Sequence, residues 1–218
     1  MHKMNQHEFE RVLVLSPHTD DAEIACGGTM AKLLRDGAHL KSIAFSGCEE
    51  SVPSEFPENE LRKEFYKAHK ALGVKRENCE VLNFKVRKFP EQRQEILEKL
   101  VALNRDWDPN LVLVTSTSDT HQDHLTLAEE TYRAFKKTSI WAYDCPWNQQ
   151  FPKLNCFIKL DEDLMKKKLS AIAQYKSQQF RGGYVNEEFI RALALLRGSQ
   201  MGEKLGEAFE IVRYMKRQ

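Results

Sequence analysis

Apolar residues in this chain fall into short runs separated by amphipathic stretches. Val12-Leu13-Val14-Leu15 is an unbroken apolar run, and Leu111-Val112-Leu113-Val114 is another. A run without polar alternation is what a strand buried on both faces shows, as in a parallel sheet covered by helices. The pattern predicts strands over 11–17, 39–45, 79–86, 109–117, 139–143 and 155–160. Helical periodicity between them predicts helices over 21–37, 58–72, 91–107, 121–137, 162–178 and 189–198, with a closing strand or short helix over 207–214. Gly37 terminates the first helix, and Gly73 suits the left-handed position that ends the second. Residues 1–10 read as a loose arm and 46–57 as a polar loop.

Strands that alternate with helices of this length join by right-handed crossovers onto a mainly parallel sheet. The predicted fold is therefore α/β: a three-layer sandwich with sheet order near 3-2-1-4-5 and helices on both faces. No composition shift or repeat divides the chain, so residues 1–218 read as one domain. Such sheets bind ligands beyond the carboxyl ends of the strands where the order reverses. Here that switch lies between strands 1 and 4. Two polar turns leave those strand ends: Ser16 to Asp21 and Asp119 to His124. About a hundred residues separate them, yet this topology makes them neighbours.

Their residues suit a divalent metal. In a turn entering a helix, residues three apart can point the same way, so His18 and Asp21 can share an ion. The second turn offers His121 and His124 at the same spacing, one to bind metal and the other to face substrate. Two histidines and one carboxylate leave a position open, the pattern of a catalytic zinc site. Asp20 is then free to act as general base, the remaining histidine to donate to an oxyanion, and Asp123 to hold a histidine tautomer. Helix capping competes with this reading. Asp20 with Glu23 makes a passable capping signal, and Asp119 or Thr120 suits the cap of the next helix. Capping explains two such clusters at one switch point less well than it explains either cluster alone. Gly27-Gly28, unusual inside a helix, suits a close approach by backbone or ligand.

Composition narrows the partners. With 33 basic and 32 acidic residues the net charge is +1, which gives no electrostatic reason to expect nucleic acid or an anionic membrane. No apolar run approaches the roughly 18–20 residues that span a bilayer, so no stable membrane anchor is expected, and the first ten residues lack the apolar core of a secretory signal. Five cysteines without CxxC spacing argue against a disulfide framework or a cysteine zinc site and suggest a reducing, cytoplasmic compartment.

PHTDDAEIACGGT resembles the PHPDDxExGCGGT-type signature of the PIG-L/LmbE-like family of zinc-dependent N-acetylglucosaminyl deacetylases, and THQDH resembles its H-x-D-H motif. Gly47-Cys48-Glu49, Glu64 with Ala68 and Leu72-Gly73, Lys176-Ser177-Gln178, Arg197-Gly198 and Gly206 to Glu210 resemble further family landmarks. The resemblance implies a Rossmann-like fold, with His18, Asp21 and His124 as ligands of Zn2+ (another divalent metal such as Fe2+ being the alternative). It implies Asp20 as general base, His121 as oxyanion stabiliser and Asp123 as the partner orienting His121. The implied reaction is hydrolysis of an acetamide on an N-acetyl amino sugar, which releases acetate and a free amine. Glu49, Arg62 and Trp147 are the candidate substrate contacts, Trp147 by stacking on a sugar face.

Three departures stand out. Thr19 replaces the usual proline and is expected to make the turn more flexible. The arginine some members carry three residues before the helix glutamate is Leu61 here, with Arg62 one place off. The tyrosine some members carry before the second motif is Asp119. Residues 48–59 read either as a lid or as a plain surface connection. Two other readings compete: a nucleotide-binding α/β module with Gly27-Gly28 beneath a phosphate, and a catalytically inactive family member. The first turn lacks a phosphate-binding glycine motif and its aspartate pair would repel phosphate. The oligomeric state is left open, a homo-oligomer included.

Overall fold

The computed structural model describes residues 8–149, 151–181 and 183–216. Strands β1 (Arg11–Ser16), β2 (His39–Ala44), β3 (Cys79–Val81), β4 (Leu111–Val114), β5 (Ser139–Tyr143), β6 (Cys156–Leu160) and β7 (Leu205–Arg213) form one sheet in the order β3-β2-β1-β4-β5-β7-β6. The five-strand part runs parallel, with Val12 beside Leu40 on one side and Leu111 on the other. β7 then adds antiparallel to β5, and β6 antiparallel to β7.

The central strand shows why its apolar run is unbroken. Val12 and Val14 enter one core, and Leu13 and Leu15 the other. The first core is covered by α1 (Asp21–Arg35), α2 (Glu60–Leu72), α5 (Glu162–Ile172) and α6 (Glu187–Ser199). The second is covered by α3 (Arg93–Trp107) and α4 (Gln122–Ala134). Leu61 of α2 and Tyr175, just beyond α5, lie beside the first turn on one side, and α4 carries the second turn on the other.

Three expectations are corrected. β3 stops at Val81 rather than residue 86. Beyond it the chain bends toward the strand ends and enters a left-handed residue at Arg87. The helix expected over 162–178 ends at Ile172, and a separate 3₁₀ turn covers Lys176–Arg181. Residues 1–7 of the expected loose arm lie outside the described residues, and Phe9 is not loose, because its ring meets Trp141 edge-on at 5.2 Å. The closing element is strand β7.

Helix α1 is two segments joined at Cys26, whose φ of −136° and ψ of 23° leave the helical region. The break frees amide groups in mid-helix, and the carboxylate of Glu207 on β7 accepts from Gly28 N at 2.9 Å and Thr29 N at 2.6 Å. Lys168 of α5 donates to the same carboxylate at 2.6 Å. A Cβ on Gly28 would lie 2.5 Å from Leu160, which explains that glycine by strand packing. The nucleotide reading fails here: a buried glutamate already occupies the amides that would have received a phosphate.

Candidate metal and catalytic site

His18 leaves the end of β1 in a turn that folds back on itself: its N–H donates to Asp21 Oδ2 at 2.9 Å. That same oxygen lies 3.2 Å from His18 Nδ1 and 3.3 Å from His124 Nε2, and the two nitrogens are 3.2 Å apart. Three donor atoms from two distant turns thus form a nearly equilateral triangle. Donors about 2.0–2.1 Å from a tetrahedral zinc lie about 3.3 Å from one another, so the triangle has the edge that ion requires.

The other ring nitrogens fix the direction of each lone pair. His124 Nδ1 donates to Asp119 Oδ2 at 2.8 Å, and His18 Nε2 donates to Asp123 Oδ2 at 3.1 Å. With the protons held on those atoms, both lone pairs point into the triangle. Two further nearby groupings can place donor atoms within 4.8 Å of one another: His18 with His121 and His124, and Asp119 with His124 and Cys145. In both, a donor is already engaged: Asp119 by His124, and His121 Nδ1 by the Asp123 amide at 3.1 Å. The set with Asp21 is the one whose lone pairs converge.

The charges agree with that assignment. Burial alone would hold His124 neutral and Asp21 protonated. Instead the Asp21 and Asp119 carboxylates lift His124 well above the usual imidazole range, and the two imidazoles hold Asp21 well below the usual carboxylate range. Burial also opposes charge on His18, but Asp21 and Asp123 raise it. The donor set therefore calls for positive charge at its centre, which a divalent cation supplies.

Asp123 is placed differently from expectation. Its carboxylate faces His18 rather than His121, and the amides of Arg87 and Phe89 donate to it at 2.5 and 3.2 Å. Burial would raise this carboxyl, yet the His18 and backbone donors bring it down. Only its own amide meets His121. Asp119, read from sequence as a cap, is the orienting partner of His124. No sequence spacing pointed to it, because the two residues face each other across a turn rather than along a helix.

His121 occupies the N-cap of α4 and accepts the Asp123 amide at Nδ1, which leaves the proton on Nε2. Burial and the neighbouring His18 and His124 push its pKa down, so the ring is a neutral donor. Asp20 stands at the N-cap of α1, yet its side chain caps nothing. Burial and then Asp21 push its carboxyl up to about 7. Glu23, expected to reach back to the cap, instead turns into the core beside Tyr175 and His69. The Tyr175 hydroxyl also donates to the Thr19 carbonyl, so the turn expected to be flexible is tied to the helical layer.

His18, Asp20, Asp21, His121 and His124 line one cavity of about 320 Å³, together with Trp147, Tyr184, Asn148, Gln178 and Arg87. Trp147 stacks on Tyr184 with centroids 4.8 Å apart and planes 6° from parallel. Its loop is anchored to the second turn, since Thr120 Oγ1 donates to the Asn148 carbonyl at 3.0 Å. Glu49 and Arg62 do not line the cavity. Arg62 pairs with Glu49 and donates to the carbonyls of Val81 and Leu82 at 2.9 and 2.8 Å and to Asn83 at 2.6 Å. The pair fixes the end of β3 to the loop after β2, which is a structural task. From the suspected lid, Cys48 and Ser51 form part of the cavity wall.

Residues 13–135, which hold both turns, match the family described as PIG-L, GlcNAc-PI de-N-acetylase. The chain belongs to the PIG-L family. Among its relatives, a diacetylchitobiose deacetylase of Thermococcus kodakarensis is 26% identical over 235 residues, covering 96% of this chain and 86% of that one. An N,N'-diacetylchitobiose deacetylase from Pyrococcus horikoshii, solved with its inhibitor MPG, superposes with a TM-score of 0.79 at 23% identity, covering 94% of this chain and 84% of the other. A 4-carboxy-2-hydroxymuconate hydratase from Pseudomonas putida superposes with a TM-score of 0.77 at 20% identity over 96% and 98% of the two chains. The fold alone therefore does not select the reaction. Among the described residues, no helix is long and apolar enough to cross a membrane.

Proposed function

We propose that the protein is a metal-dependent N-deacetylase that hydrolyses the acetamide of an N-acetylated amino sugar. The observation that carries this reading is the triangle of His18, Asp21 and His124, flanked in one cavity by an uncommitted Asp20 carboxylate and a neutral His121 ring. The family match and the deacetylase relative support the same reaction.

His18, Asp21 and His124 are the residues to hold the ion, with zinc the ion their donor set suits best. A divalent cation in such a site acidifies water and polarises a carbonyl. The remaining work falls to the chain. Asp20 takes a proton from the attacking water as its oxygen joins the acetyl carbon. His121 donates from Nε2 to the oxyanion that forms. Asp20 returns the proton to the nitrogen as the C–N bond breaks, leaving acetate and a free amine. Its carboxylate lines the same cavity as the metal-binding triangle without capping α1, which leaves it free for both transfers. Trp147 and Tyr184 give the cavity an apolar wall against which a sugar face can stack.

The test is acetate release from a panel of N-acetyl sugars by metal-loaded protein, with Asp20→Asn as control. Release by the wild type and not by the variant supports the reading. No release from any member by protein carrying one metal per chain overturns it.

A further inference from the structure

The cavity has a cationic wall that the reaction above does not use. Arg87 is the one lysine or arginine among the described residues lining it. Its φ is +65°, in the left-handed region that residues other than glycine seldom adopt and that recurs at functional sites. Two hydrogen bonds hold it there. Its N–H donates to Asp123 Oδ2 at 2.5 Å, and its carbonyl accepts from Gln122 Nε2 at 2.7 Å. Both partners belong to the turn and helix that carry His124, so the backbone of Arg87 is set in register with the metal site.

The guanidinium is treated differently. It makes no hydrogen bond or ion pair among the described residues, and the side chain is exposed at the cavity. Its basic neighbours are paired, Lys85 with Glu50 at 3.5 Å and Lys88 with Glu91 at 2.7 Å. Arg62 is enclosed by Glu49 and the end of β3. Glycine would adopt this φ without strain. An arginine there adds an unpaired planar cation, at a conformational cost, beside the reaction centre. The cavity's carboxylates, Asp20 and Asp21, already serve the proton and the metal.

We propose that Arg87 determines specificity by binding an anionic substituent, phosphate or carboxylate, that the substrate carries away from its acetamide. A guanidinium fork receives either anion through two parallel hydrogen bonds. The aromatic wall would then hold the ring and Arg87 the charge. The proposal rests on the N-deacetylase reading of the same site.

The experiment compares three substrates on metal-loaded protein: N-acetylglucosamine bearing a methyl aglycone, a carboxymethyl aglycone or a 1-phosphate. Wild type is expected to favour an anionic substrate by about tenfold or more in kcat/KM, chiefly through KM. That preference should weaken as salt rises. Whichever anion is preferred identifies the source of the charge. Arg87→Gln should bring the ratio of anionic to neutral substrate close to one, and Arg87→Lys should retain part of it. Arg87→Gly should lose the preference and melt at a higher temperature, because the strain is relieved. No preference in the wild type, or a preference that survives Arg87→Gln with metal content unchanged, overturns the proposal. If no substrate is turned over, the deacetylase reading fails and calorimetry with inorganic phosphate decides the anion site separately. Binding by wild type that Arg87→Gln loses supports it; equal binding by both overturns it.

Discussion

Asp20 holds the N-cap of α1 without capping it, and its carboxyl sits in a cavity that raises it to about 7. Two consequences follow from that environment. Asp20→Asn keeps shape and volume, so metal content should stay near one per chain while kcat falls by about 10³-fold or more. In the metal-free protein the sign on stability is opposite. A carboxyl raised above its unfolded value of 3.8 contributes stability that is present below that value and lost as pH rises through about 7. The asparagine variant escapes that loss, so stripped Asp20→Asn should melt several degrees above stripped wild type at pH 8 and close to it at pH 4. Equal melting temperatures at pH 8 would show that burial does not raise this group. His121 and Asp119 separate in the same way. His121→Ala should lower kcat about 10²- to 10³-fold with metal retained. Asp119→Ala removes the acceptor for His124 Nδ1 and should weaken metal affinity about 10- to 100-fold. Metal loss in His121→Ala would mean that His121, and not only His124, is a ligand. The sequence pairs these residues by spacing, and the fold brings His18, Asp20, Asp21, His121 and His124 to one cavity. It does not say which carboxylate serves which ring, because Asp119 and Asp123 reach their histidines across turns.

At the scale of elements, α1 shows how a helix break is supported by a strand far along the chain. The residues around Cys26 leave amides that Glu207 accepts, and Lys168 balances the buried carboxylate. The two charged groups are each about 2% exposed. Lys168→Met would leave Glu207 buried and unpaired, a change that costs about 3–5 kcal/mol. Gly28→Ala would drive a methyl group against Leu160 and should cost about 1–3 kcal/mol. Thermal melts of metal-loaded protein check both, with Lys168→Met the more damaging. A larger loss from Gly28→Ala would place the constraint in packing rather than charge. The glycine pair announces that something approaches closely, but not what. A backbone contact, a ligand and a glutamate 179 residues away leave the same local signature. The Glu49–Arg62 pair was hidden for a similar reason: an arginine one place from a binding position looks available until β3 is seen ending under it.

Across the whole molecule, the parallel order β3-β2-β1-β4-β5 followed from apolar runs and crossover handedness, because those two rules suffice to put the ends of β1 and β4 side by side. The antiparallel pair β7-β6 did not follow, since β7 inserts between β5 and β6 and reverses the chain order at that edge. The site inherits its stability from this frame. Its two turns are held by a packed sheet and by contacts such as Tyr175 to Thr19, so metal removal should leave the protein folded. How much stability the metal adds depends on pH. In the metal-free protein His18 and His124 are raised, and their contribution is complete below about 6.5 and lost as pH rises through their folded values. Asp21 is lowered, so its contribution is present above 3.8 and lost as pH falls through its folded value. Between those limits protonated imidazoles compensate the carboxylates in place of a cation. Above them the stripped site holds uncompensated negative charge, including that of Asp20. The ion must displace protons at low pH and meets free donors at high pH. The melting-temperature difference between zinc-loaded and stripped protein, at fixed free zinc, should therefore grow from pH 6 to pH 8.5. Calorimetry in buffers of different ionisation enthalpy should show proton release on zinc binding that shrinks over the same range. A difference independent of pH would mean that the imidazoles are already neutral at pH 6, and that the carboxylates around them do not control the site.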